Sequence, residues 1–221
     1  MNEAIAKLNA HFPLTKRDAG EYAHFKAAPL TVDLDWYAAE GLGSVSLLRG
    51  KAMAGLMRMD TLVIDPFTRD VPLFSYDFIS AMGNETMLVE YYDTLLDAAA
   101  FDASPLLAAK LAIAALPDHD LGAHWYDGLK LPVSFAKRTR KKALPALNAA
   151  FLTALDAYLA LAAAKPVLSD AARQEKRGKA AAYVNGLLEH GGPSTDSFVK
   201  AIGAERTRQL FAGVVFGTEA E

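Results

Sequence analysis

A chain of 221 residues, 52% hydrophobic and 22% charged, carries enough apolar material for one core and reads as a single domain over residues 1–221, since no linker-like stretch divides it. The absence of cysteine excludes disulfides, thiol nucleophiles, Cys-ligated zinc and any iron–sulfur cluster held by this chain alone. A net charge of −3 gives no general attraction to nucleic acid.

The N-terminus, Met1-Asn2-Glu3-Ala4, lacks the basic and apolar regions of a signal peptide, and residues 2–12 read as a short helix. A strand-rich block follows, with successive strands expected at 30–34, 44–48, 56–64, 71–80 and 86–92. Gly41, Gly43, Gly50, Pro66 and Gly83 punctuate them. Connections this short leave no room for crossover helices, so the sheet is expected to be antiparallel. In the third strand Arg58 and Asp60 alternate with Met57, Met59 and Thr61, which puts the two charges on one face. Helices are expected at 93–100 and 104–116, with Ser104-Pro105 as cap and first residue, and one further strand at 131–135. From Pro145 the pattern is helical: Leu147, Phe151, Leu155, Tyr158, Leu159 and Ala162 form one stripe that covers the sheet until Pro166 stops it. A more polar helix at 170–188 and a third at 197–216, broken at Gly203, close the chain. The longest apolar run, 155–164, contains Asp156 and falls short of a bilayer span. A soluble, monomeric, cytoplasmic protein without a membrane partner is the expectation.

The motifs of nucleotide-binding loops, dinucleotide folds, serine hydrolases and zincins are absent. His119 and His124 lie five residues apart in a loop, not at the spacing of a helical metal pair, so no metal site and no ligand role is assigned to them. The chemistry concentrates in Pro72-Leu73-Phe74-Ser75-Tyr76-Asp77-Phe78-Ile79, where an aspartate interrupts an aromatic and branched strand. A carboxylate there must face solvent or serve a site. Asp60 and Asp77 sit on adjacent strands, and pairing that set both on one apolar face would drive their ionisation apart and keep one protonated near neutral pH. The alternative, that either points into water, stays open. Arg58, Arg49, Lys137 and Arg138 are candidate cations for substrate carboxylates. Trp36, Trp125, Phe74, Tyr76 and Phe78 suit either a flat ligand or an ordinary core. Lys137, Arg138, Arg140, Lys141 and Lys142 form one basic run, whose plain reading is the solvated start of a helix.

The stretch from Val71 to Ile79 resembles the strand of ferredoxin-dependent bilin reductases that reads P-[IL]-F-G-x-D, in which the aspartate is the catalytic acid; Asp77 matches it. The order continues through Tyr158-Leu159-Ala160-Leu161, Lys165-Pro166, Ala172-Arg173-Gln174, Phe198 to Arg206 and Leu210 to Phe216, which is similar to the family's closing helices. Glu90-Tyr91-Tyr92-Asp93-Thr94 is similar to the related red chlorophyll catabolite reductases. The resemblance implies an α/β fold, a three-layer α/β/α sandwich with a central antiparallel sheet, and a linear tetrapyrrole such as biliverdin held between sheet and C-terminal helices. It implies reduction without a bound metal or flavin: reduced ferredoxin supplies single electrons, and protein carboxylates or water supply protons. Asp77 and Asp60 would then be the catalytic acids, with Arg58, Phe74, Tyr76, Lys137 and Arg138 binding substrate. Arg140, Lys141 and Lys142 would meet ferredoxin, and Arg173, Lys176, Arg177 and Lys179 form a second candidate surface. Asp60 falls where several members carry histidine, Leu48 where they carry an acid, and Ser75-Tyr76 replace glycine and a small residue. A tetrapyrrole-binding protein without turnover, or an enzyme for a chlorophyll-derived bilin, is the alternative.

Overall fold

The computed structural model describes residues 1–219. Among them, strands β1 (Leu14–Arg17), β2 (His24–Ala27), β3 (Leu30–Ala39), β4 (Gly43–Ala52), β5 (Met57–Asp65), β6 (Leu73–Ala81), β7 (Asn84–Tyr92) and β8 (Phe135–Arg140) form one sheet, every pair antiparallel. Its order is β1-β3-β4-β5-β6-β7-β8, with β2 beside β1 on the same edge of β3. The five expected strands are β3 to β7; β1 and β2, four residues each, are too short to show a period.

The helices are α1 (Asn2–His11), α2 (Leu107–Ala112), α3 (Leu144–Ala164), α4 (Asp170–His190), α5 (Pro193–Ile202) and α6 (Ala204–Arg208), which runs into a π-helical segment, Gln209–Val215. Gly203, at φ 88, breaks α5 from α6 as expected. Residues 93–100 are not helical. Asp93 accepts from Leu95 N, Asp70 from Leu96 N, and Asp97 from Ala100 N, so short acidic side chains take the amides a helix needs. The next expected helix shrinks to one 3-10 turn, Ser104–Leu106, followed by α2, and its N-cap is Ala103, not Ser104. The last strand lies at 135–140 rather than 131–135, so the basic run begins in an edge strand and not at a helix start.

Strand alternation sorts the sheet's side chains into two cores. Leu62, Phe74, Tyr76, Met87 and Val89 pack with Leu8 of α1 and with the stripe Leu147, Phe151, Leu155 and Tyr158 of α3. Leu34, Leu48, Met59 and Val63 pack with Tyr183, Val184 and Leu187 of α4, Phe198 of α5 and Phe211. The segment Lys141–Ala164 is long and apolar enough to cross a bilayer by length and composition, but its stripe is spent on the first core, and Tyr158 donates to Pro72 O at 2.9 Å. On the other side α4 is pinned by Lys176, fully buried, whose Nζ donates to Val71 O at 2.8 Å and Thr94 O at 3.0 Å and pairs with Asp70 at 3.3 Å.

Asp65, at the end of β5, is 1% exposed and neither carboxylate oxygen has a hydrogen-bond partner. Burial pushes its carboxyl up to about 7, against the pull of Lys176 and Arg177. A folded-state carboxyl above its unfolded value binds protons that the unfolded chain releases, so Asp65 lowers stability progressively as pH rises from about 4 to 7, by an order of 4 kcal/mol in full. Asp65→Asn, neutral throughout, is therefore expected to gain thermal stability relative to wild type between pH 5 and pH 8. Equal differences in Tm at the two pH values would show that Asp65 ionises freely.

Candidate functional site

The second core is incomplete. Between the sheet and α4, α5 and the π-helical segment lies a cavity of about 360 Å³, within the range of small-molecule sites. Asp77 stands in its sheet wall. The β5–β6 register sets Asp77 opposite Thr61 and Ser75 opposite Val63, and the β6–β7 register sets Asp77 opposite Leu88 and Ser75 opposite Glu90. Thr61 in turn lies opposite Leu48. A row Leu48–Thr61–Asp77–Leu88 thus crosses the sheet with the carboxylate at its middle. Leu48, Thr61, Asp77, Leu88 and Glu90 all line the cavity.

Asp77 is half-buried, and burial pushes its carboxyl up to about 6. The Thr61 hydroxyl, which donates to Oδ1, pulls it down, and the Glu90 carboxylate raises it further. Glu90 itself, 8% exposed, is fully engaged: Tyr92 OH donates to Oε2 at 2.7 Å and Lys130 Nζ lies 2.7 Å from Oε1. Lys130 also pairs with Asp127 at 3.1 Å and sits over the Tyr126 ring at 4.9 Å. Burial works against its ammonium, but the two carboxylates outweigh that and hold it above its ordinary 10.5. Tyr92 and Tyr183, with centroids 4.3 Å apart, form an aromatic wall met edge-on by Tyr126. Chemically the site offers one carboxyl able to give or take a proton near neutral pH, next to a locked Glu–Lys–Tyr cluster, in an apolar slot.

Asp60 is not in this slot. Its Cα partner is Phe78, not Asp77, so it points to the opposite face, where Arg58 Nε lies 3.3 Å away and the Arg58 guanidinium covers the Phe78 ring at 5.2 Å. Arg58 and Asp60 share a face as expected, but the two aspartates do not. Phe74 and Tyr76 also leave the expected site: they are core residues under α3, Tyr76 stacked on Phe151 at 3.7 Å and Phe74 against Tyr158 at 5.1 Å. Lys137 turns to that same face, 3% exposed, with Nζ donating to Leu116 O at 2.8 Å and paired with Asp118 at 2.7 Å. Arg138, its neighbour, turns to the cavity and lines it. Arg140 has the parity of Arg138 and is exposed opposite Asn84; Lys141 and Lys142 are exposed in a 3-10 turn before α3. On α4, Lys176 is fully buried and Lys179 donates to Leu95 O, so neither is a free surface cation.

His119 and His124, given no role from the sequence, both line the cavity, as do Tyr126 and Thr195. The loop between α2 and β8 brings three of them there. His119 N donates to Ala136 O at 3.0 Å, Arg138 N to Pro117 O at 3.2 Å, and Trp125 Nε1 to Gly191 O at 2.9 Å. Gly186 makes room for that indole, since a Cβ there would lie 2.2 Å from it. No local sequence signal marks this loop; only the pairing of its first part with the β8 edge and of its end with Tyr91 and Tyr92 of β7 does.

Asp77 is expected to titrate near pH 6, and Thr61→Val, which removes the hydroxyl that holds the charged form, to move the midpoint upward. Carboxyl-carbon NMR of the free protein across pH 3–9 measures both; a wild-type midpoint near 4, or none of the expected rise in the variant, would remove the buried-acid reading.

No family model and no curated protein sequence matches the chain. Among solved structures the fold is similar to that of phytochromobilin synthase from tomato, determined in complex with biliverdin, with a TM-score of 0.82 and 13% identity over 100% of this chain and 82% of that chain. The two chains share a fold despite that low identity.

Proposed function

We propose that this chain binds an open-chain tetrapyrrole of the biliverdin type in the cavity beside Asp77 and reduces it, in a three-layer α/β/α arrangement of the kind found in bilin reductases. The observation that carries the reading is Asp77 itself: a carboxyl with ionisation raised to about 6, at the middle of an apolar slot. The likeness to a fold solved with biliverdin supports the substrate class. The reaction adds two electrons and two protons across one double bond. The electrons come one at a time from reduced ferredoxin, and no resident metal or flavin takes part.

In this reading Asp77 hydrogen-bonds the pyrrole nitrogens or ring carbonyl and passes its proton to the substrate as each electron arrives, then recovers one from solvent. A carboxyl near 6 is protonated often enough at neutral pH to donate and ionises readily enough to be reloaded. Asp60 cannot share the work through a strand that separates it from the slot. Glu90 is the neighbouring acid, but Lys130 and Tyr92 occupy its two carboxylate oxygens, and its proximity raises Asp77. Arg138 is the cation within reach of a propionate, and Arg140, Lys141 and Lys142 form a cationic rim beside the cavity for an acidic protein donor.

Incubation with biliverdin, ferredoxin and a reducing system is expected to bleach or shift the visible spectrum. Asp77→Asn is expected to keep pigment binding and lose turnover by about 10²- to 10⁴-fold. Bound pigment with an unchanging wild-type spectrum would leave a binding protein and no reductase.

Charge reversal of the rim, Arg140→Glu with Lys141→Glu, is expected to slow ferredoxin-driven turnover at low salt and to lose its effect as ionic strength rises, with pigment affinity unchanged. A salt-independent effect, or a fall in pigment affinity, would place the two residues elsewhere in the mechanism.

A further inference from the structure

A second cavity, of about 450 Å³, lies on the face of the sheet turned away from the Asp77 slot. It too falls within the range of small-molecule sites, and the reaction proposed above does not use it. Arg49 of β4, Arg58 and Asp60 of β5, and Tyr76 and Phe78 of β6 form its sheet wall, and Phe151 of α3 and Glu3 of α1 also line it.

Opposite charges in this wall stand side by side without meeting. The β4–β5 register sets Arg49 directly across from Asp60, a placement at which opposite charges attract. Arg49 instead donates through Nη2 to Asp35, while Asp60 takes Arg58 Nε on Oδ2 at 3.3 Å. Among the described residues no ion pair joins Arg49 to Asp60, so a guanidinium and a carboxylate on adjacent strands each keep an unused edge.

The Tyr76 hydroxyl is left over in the same wall. Tyr76, Tyr91 and Tyr158 are all buried in the core under α3. Tyr158 donates to Pro72 O, and the Tyr91 hydroxyl is sealed without a partner. Tyr76 is 3% exposed, with its ring stacked on Phe151 at 3.7 Å. Its hydroxyl makes no hydrogen bond among the described residues and, unlike that of Tyr91, is not sealed off from the cavity its ring lines. Burial raises its ionisation, Asp60 and Asp77 raise it further, and Arg58 works the other way, so the hydroxyl lies within the field of both charges of the β5 pair.

Charge selects the ligand. The cavity is lined by two guanidinium groups, Arg49 and Arg58, and two carboxylates, Asp60 and Glu3. A net anion loses against the second pair what it gains on the first, and a net cation does the reverse. A molecule neutral as a whole, with both signs close together, meets the arginines with its carboxylate and Asp60 with its ammonium, and the Tyr76 hydroxyl can donate to the one or accept from the other. Phe78 and Phe151 leave apolar surface beside these groups. We infer that this cavity is a second binding site, separate from the tetrapyrrole slot, for a small zwitterion of the α-amino-acid type with an apolar side chain.

Calorimetric titration with L-leucine and L-phenylalanine tests this, beside the deamino acid and the amide of each. Saturable binding of at least one amino acid is expected, with its two analogues weaker by about tenfold or more. Tyr76→Phe, which loses only the hydroxyl, is expected to weaken binding about tenfold and to leave the ligand-free Tm unchanged, because that hydroxyl bonds nothing in the fold. Asp60→Asn is expected to abolish the preference for the amino acid over its deamino analogue. Asp77→Asn, on the other face, is expected to change nothing. Wild type that binds neither amino acid, wild type that binds the deamino acid equally well, or full affinity in Tyr76→Phe overturns the inference. Loss of binding in Asp77→Asn also overturns it, by placing the amino acid in the first cavity. None of these outcomes depends on biliverdin, so the tetrapyrrole reading stands or falls separately.

Discussion

The packing of α3 across the middle of the sheet governs what the other face can be. Tyr76 against Phe151 and Phe74 against Tyr158 fill one side with large rings, so Leu62 and Ile64 of β5, Phe74, Tyr76 and Phe78 of β6, and Met87 and Val89 of β7 are committed to a packed core. The residues between them, Thr61, Ser75, Asp77 and Glu90, are smaller and polar, and they face helices that do not close onto them. Polar side chains on a sheet's inner face would be costly beneath a tightly packed helix. Here they meet a cavity instead. The α3 side supplies the rigidity, and the α4–α5 side carries the polar groups on a floor that cannot shift.

On that floor, electrostatics are arranged in two layers. Glu90, Lys130 and Tyr92 satisfy one another's polar atoms beneath the cavity. Burial raises the Asp77 carboxyl, the Thr61 hydroxyl acts against it, and the neighbouring Glu90 acts with burial. The acid is therefore set by its burial and by two neighbours on the two flanking strands, Thr61 on β5 and Glu90 on β7. Its ionisation belongs to the sheet register as much as to the residue.

That dependence explains what was legible in the sequence and what was not. The alternation of Met57, Met59 and Thr61 with Arg58 and Asp60, the turn glycines, and the Leu147–Ala162 stripe each report a local period, and the elements they mark are present. Asp77 was legible because a carboxylate inside an aromatic strand has few other uses. Its partner was not. Asp60 pairs with Phe78 and Thr61 with Asp77, and a slip of one residue in the loop between β5 and β6 would exchange them and turn Asp60 into the cavity. The loop between the two strands is held where Lys176 donates to Val71 O and pairs with Asp70. Lys137 and Arg138 show the same effect: adjacent in the sequence as one basic run, they are assigned to opposite faces once the run is a strand paired to β7.

The loop that carries His119, His124 and Tyr126 was the least legible part for a related reason. With little regular structure of its own beyond a 3-10 turn at Asp127–Leu129, it is positioned by contacts to elements far away in the chain: His119 N on Ala136 O, Leu131 N on Tyr91 O, and the Trp125 indole on Gly191 O over the gap left by Gly186. A glycine in the interior of a helix normally weakens it by roughly 1 kcal/mol relative to alanine. In α4 that loss is offset by the indole it admits, which is the contact that sets the loop against the mouth of α5. The loop is thus seated where a helix gives up one methyl group, a relation between Gly186 and Trp125 that sequence spacing does not express and packing does.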